Sequence, residues 1–100
     1  MNPDFPKAYH DRASAKRALG DLQGALFDYR MATNYDHDFS LAFSNMGSVK
    51  IVLGDYEGAL EDYNVAINLD PQFKIAYNNR GTVHYFLEDY EAALDDFNMA

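Results

Sequence analysis

Shifting the sequence by 34 residues against itself brings it into register twice, and that periodicity constrains the fold more than any other feature. Seven slots are identical in all three copies. Ala8 falls on Ala42 and Ala76, Leu19 on Leu53 and Leu87, and Asp21 on Asp55 and Asp89. Ala25, Leu26, Asp28 and Ala32 recur in the same way. Chance would match one slot threefold about 0.5% of the time at ordinary residue usage. Near-matches extend the pattern: Tyr9, Phe43, Tyr77; Leu22, Tyr56, Tyr90; Tyr29, Tyr63, Phe97.

Each copy reads as a helical hairpin. First helices are predicted from Pro6, Ser40 and Lys74 to Leu19, Leu53 and Leu87. The breaks Gly20-Asp21 and Gly54-Asp55 pair a helix terminator with a capping acid; Glu88-Asp89 replaces the glycine, which predicts a strained turn. Second helices start at Leu22, Tyr56 and Tyr90. Asp70-Pro71 closes the second copy, because the residue before proline avoids helical geometry. The units are an N-terminal tail (1–5) and repeats at 6–39, 40–73 and 74–100, the last without a polar capping helix. Recurring alanines mark close helix approach, and recurring Tyr, Phe and Leu mark volume in the core.

A 34-residue helix–turn–helix carrying an aromatic, Gly or Ala, Ala, an aromatic, Ala and a closing Pro resembles the tetratricopeptide repeat. In the second copy those slots hold Phe43, Gly47, Ala59, Tyr63, Ala66 and Pro71. The third holds Tyr77, Gly81, Ala93, Phe97 and Ala100; the first holds Tyr9, Ala13, Ala25, Tyr29 and Ala32, with His37 in place of the proline. The string Ala76-Tyr77-Asn78-Asn79-Arg80-Gly81 looks like a version common in bacterial members. The resemblance implies an all-α, right-handed α-solenoid of three hairpins that binds a protein or peptide partner. It also implies that first helices line a concave groove and second helices form its back.

Composition narrows the function. With no cysteine there is no disulfide or thiolate chemistry, and the N-terminus lacks a secretion signal; both fit the cytoplasm. A net charge of −8 disfavours nucleic acid and anionic membranes. His37 in Asp36-His37-Asp38 reads as a solvated turn rather than a metal ligand. The paired carboxylates Glu61-Asp62 and Asp95-Asp96 read as capping and solubility, not as an acid–base pair. No cofactor site and no enzyme activity are expected.

Seven of the eight basic residues fall on first helices, which predicts a neutral-to-basic inner face. With Ala8, Tyr9 and Leu19 turned to the partner helix, the groove takes Lys7, His10, Asp11, Ser14 and Arg17 from the first repeat. The second adds Leu41, Ser44, Asn45, Ser48 and Ile51; the third adds Ile75, Asn78, Asn79, Thr82 and Tyr85. Lys7 and Arg17 are expected to favour an acidic stretch at one end. Asn45 and Asn79 either grip a peptide backbone or tie adjacent repeats, and sequence leaves both open. Relatives that bind heat-shock chaperone tails use a two-carboxylate clamp, whose slots here hold His10, Ser14, Asn45, Ile75 and Asn79. Only Asn45 fits, so such a tail is not the expected ligand. Weak homo-association through the uncapped face around Tyr90, Ala93, Leu94, Phe97 and Ala100, or fraying of the last helical turn, is expected. A structural self-assembly module, or a repeat fragment of a larger multidomain protein, is the alternative reading.

Overall fold

In the computed structural model, which describes residues 4–100, the chain is all-α; residues 1–3 of the predicted tail lie outside that span. Six helices form three antiparallel hairpins: α1 (Phe5–Ala18) with α2 (Leu22–Tyr35), α3 (Ser40–Val52) with α4 (Tyr56–Leu69), and α5 (Lys74–Phe86) with α6 (Tyr90–Met99). Consecutive hairpins stack into a solenoid measuring 48 × 27 × 17 Å.

Local chemistry repeats as the sequence does. Asp21, Asp55 and Asp89 cap the second helices, accepting from the backbone N–H of Gly24, Gly58 and Ala92 at 2.9, 3.0 and 3.3 Å. The inter-repeat turns share one design despite His37 standing in the proline slot. Asp36 accepts from the Asp38 N–H at 3.0 Å, and Asp70 from the Gln72 N–H at 3.1 Å.

Gly20 and Gly54 leave the first helices with φ of +86° and +82°. Glu88 is forced into the same region at +64°. A side chain there is disfavoured by about 1–2 kcal/mol. Glu88→Gly removes that cost but adds freedom to the unfolded chain, so a net gain of about 0.5–1 kcal/mol is expected. A thermal melt should show the midpoint rising by a few degrees, about 4–8 °C per kcal/mol in a domain of this size.

The core is built from the repeated small and aromatic slots. Tyr29 and Tyr63 are buried, each with its ring against the neighbouring first helix. A Cβ on Gly47 would stand 2.8 Å from the Tyr63 ring, and one on Gly81 2.8 Å from Phe97, so only glycine lets these helices approach so closely. Phe43 packs against both buried clusters and links them.

Identical slots are not identical in burial. Ala42 and Ala76 are buried beneath the preceding second helix, while Ala8 is exposed, no hairpin among the described residues covering its slot. Leu19, expected against the partner helix, is 86% exposed at the end of α1. On α6, Ala93 is buried, contrary to expectation, while Tyr90, Leu94 and Phe97 are exposed.

Candidate functional site

The acids that recur on the second helices are the largest departure from the sequence reading. Asp28, Asp62 and Asp96 are buried, not solvated. Arg12 donates to Asp28 through Nε and Nη2 at 2.7 and 2.8 Å, and Lys16 Nζ lies 3.0 Å away. Arg80 holds Asp96 in the same fork at 2.9 and 2.7 Å, and also donates to Asn64 on α4. In the middle hairpin Met46 occupies the arginine slot, so Lys50 alone approaches Asp62, at 2.9 Å. That single ammonium contact stands where the flanking hairpins have a two-bonded arginine fork.

Protonation follows. The guanidinium of Arg12 and the ammonium of Lys16 outweigh burial and hold Asp28 below the ordinary aspartate range. Burial outweighs Lys50 and pushes Asp62 above it.

These pairs correct the expectation of a basic inner face. Arg12, Lys16, Lys50 and Arg80 all turn toward their own second helices. Lys7 is paired with Asp11 at 2.9 Å on the surface.

What remains on the row formed by α1, α3 and α5 is a polar floor with apolar edges. Asn45 bridges to His10 Nε2 at 2.9 Å, tying α3 to α1. The His10 ring is packed against Phe39 and Tyr29, with centroids 5.0 and 5.4 Å away. Ser14 meets the Tyr29 hydroxyl at 2.8 Å, and Ser48 meets that of Tyr63 at 2.9 Å. Burial pushes the Tyr63 hydroxyl up; Ser48 opposes this most, with smaller contributions from Arg17 and Asn79. In the third copy the aromatic is Phe97, without a hydroxyl, and Thr82 donates instead to the Asn78 carbonyl at 3.1 Å.

Of the other predicted groove residues, Leu41, Ile75, Asn78 and Tyr85 are exposed, and Arg17 is half-buried. Ser44 is not in the groove; it is buried.

One end of the row forms an open cleft of about 400 Å³ between α1 and the α2–α3 turn. It brings together Lys7, His10 and Leu41, and adds Asp4, Asp36 and Phe39, which sequence reasoning did not select. With Asp11 it holds three carboxylates against one lysine, an excess of negative charge where an acidic stretch was expected to bind. The helix period could not have found Asp36 and Phe39, because they come from a turn. Among the described residues no three His, Cys, Asp or Glu side chains are grouped to hold a metal, and no helix is long and apolar enough to cross a membrane.

A family described as TPR repeat matches residues 51–87. Among solved structures, the second TPR of Spaghetti (RPAP3) bound to the HSP90 peptide SRMEEVD is 26% identical. The alignment covers 95% of this chain and 88% of that one, with a TM-score of 0.92. Residues 51–87 thus carry a TPR repeat, and the fold of the described residues is that of a three-hairpin TPR domain. The TPR2B domain of yeast Sti1, in complex with pHsp70, shares the fold at 21% identity and TM-score 0.91, over 94% of this chain and 75% of that one. MamA shares it at 22% identity and TM-score 0.92, over 97% of this chain and 57% of MamA. A search of curated protein sequences returns no match.

Proposed function

We propose that this protein is a non-catalytic scaffold that holds a segment of a partner protein along α1, α3 and α5. The observation that carries this reading is the division of labour in that row. Asn45, His10, Ser14 and Ser48 are engaged with one another or with the core tyrosines. Leu41, Ile75, Asn78 and Tyr85 present themselves to solvent. The similar RPAP3 domain holds a peptide.

The ligand chemistry differs from that peptide. The clamp slots hold His10, Ser14, Asn45, Ile75 and Asn79, none of them a fixed cation, and Asn45 is already bonded to His10. A neutral segment with apolar side chains suits Leu41, Ile75 and Tyr85 better than an acidic tail. The bacterial type of the repeats and a cytoplasmic location belong to the same reading, on the Ala76–Gly81 string and the cysteine-free sequence.

The test uses peptides selected from a random display library. Ile75→Asp and Asn78→Ala together should weaken the selected peptide at least tenfold, about 1.4 kcal/mol, with an unchanged melting point. SRMEEVD should not bind at millimolar concentration. Tight SRMEEVD binding, or selected peptides indifferent to both substitutions, would falsify this reading.

A second reading, weak self-association, is favoured by the apolar side chains of Leu94 and Phe97 that α6 leaves exposed. Sedimentation over a concentration series tests it: a mass that rises, and that Leu94→Glu returns to the monomer value, supports it.

A further inference from the structure

Two turn segments carry one pattern a repeat apart: Ile51-Val52-Leu53-Gly54-Asp55-Tyr56-Glu57 and Tyr85-Phe86-Leu87-Glu88-Asp89-Tyr90-Glu91. The first copy departs from it, reading Arg17-Ala18-Leu19-Gly20-Asp21-Leu22-Gln23. The fold sets the two similar segments side by side. The Tyr56 ring lies 5.6 Å from Phe86, Phe86 lies 6.2 Å from Tyr85, and Tyr85 lies 5.6 Å from Tyr90. This aromatic chain crosses the boundary between the second and third hairpins and stays open to water. Val52, Phe86 and Tyr90 are 64%, 50% and 57% exposed.

The same two segments contain five carboxylates and no lysine or arginine. Asp55 and Asp89 accept from helix N–H groups, and they and Glu57, Glu88 and Glu91 are exposed. Nearby Lys50 and Arg80 face away, onto Asp62 and Asp96. The edge is therefore an apolar, aromatic strip bordered by negative charge. Phosphate groups of nucleic acid or anionic lipid would be repelled by it.

We propose that this edge is a second docking surface, outside the groove floor, for a basic amphipathic helix of a partner protein. Its apolar stripe covers Val52, Tyr56, Phe86 and Tyr90. Its lysines or arginines meet the flanking carboxylates and the tyrosine faces, where a cation is attracted by the ring.

The test titrates ¹⁵N-labelled protein with an 18-residue Leu/Lys helix-forming peptide and with its Leu/Glu counterpart. Shifts should concentrate in residues 51–57 and 85–91. The Leu/Lys peptide should bind at least tenfold tighter than Leu/Glu, and weaken several-fold as salt rises. Phe86→Ala with Tyr90→Ala should reduce its affinity at least tenfold, and Leu19→Ala in the first turn should not. If the alanine pair unfolds the last hairpin, Val52→Lys with Tyr90→Lys serves instead. The proposal is overturned by shifts spread as strongly over Asp36, Asp38 and Asp70, by equal affinity for both peptides, or by binding to phosphatidylglycerol vesicles. It is also overturned if the edge shifts appear without peptide as concentration rises, which would make the occupant a second copy.

Discussion

Replacing Tyr63 by alanine is expected to lower the melting midpoint by about 15–30 °C, the largest effect of any single side chain in the molecule. The ring is completely buried, its edge fits over Gly47, and its hydroxyl meets Ser48. Removing a buried aromatic costs about 3–5 kcal/mol, because the cavity cannot fully collapse. Against a total stability of about 5–15 kcal/mol that is a large share, and each kcal/mol moves the midpoint about 4–8 °C at this size. Two controls make the prediction specific. Phe97 occupies the same slot but is 40% exposed, so Phe97→Ala should cost about half as much. Tyr63→Phe keeps the ring and loses only its hydrogen bonds, about 0.5–1.5 kcal/mol. Circular dichroism melts of the three variants check the order; equal losses for Tyr63→Ala and Phe97→Ala would sink it.

The second large effect separates two residues that sequence makes look equivalent. Asp28→Asn should destabilise by about 1–2 kcal/mol, since it strips Arg12 and Lys16 of their shared counter-charge. The figure stays at the low end because Arg12 keeps more than half its surface in water. Asp62→Asn should be close to neutral. The direction of the protonation shifts decides this. Asp28 is held below its unfolded value, so its contribution is complete above about pH 4 and is lost as pH falls through the lower folded value. Asp62 is pushed above its unfolded value, so ionising it in the fold costs stability, and that cost disappears as pH falls through the raised value. Melts from pH 3 to pH 7 should therefore show Asp28→Asn flattening the acid loss and Asp62→Asn leaving or slightly steepening it. The opposite ranking would mean that Lys50 holds Asp62 more firmly than its geometry indicates.

Periodicity made the helices, the turns and the slots of the inner row legible, because each is set by local chemistry written three times. Gly20, Gly54 and Glu88 announced a left-handed exit, and all three adopt it. Other features depend on surroundings that a slot does not encode. Ala8 matches Ala42 and Ala76 in identity, but burial requires an earlier hairpin. Asp62 and Asp96, read as members of capping and solubilising pairs, hid their role because their cations sit 12 to 16 residues away, on the other arm of the hairpin. Overlooking those pairs is what made the inner row look basic. Asn45 resolves toward a tie between repeats through His10, a contact 35 residues apart that no local pattern contains.

Those carboxylate pairs also bear on how such an array can grow. Each buried acid finds its cation within its own hairpin: Arg12 and Lys16 for Asp28, Lys50 for Asp62, and Arg80 for Asp96. A gene duplication that copies one whole hairpin therefore copies both members of the pair and strands no charge in the interior. A crossover within a hairpin can separate them, and an orphaned buried aspartate is among the more damaging outcomes of recombination. The unit of inheritance compatible with this electrostatics is the complete hairpin. Between such units the arginine slot is free to drift, as Met46 shows, provided the lysine four residues later keeps its place beside the acid.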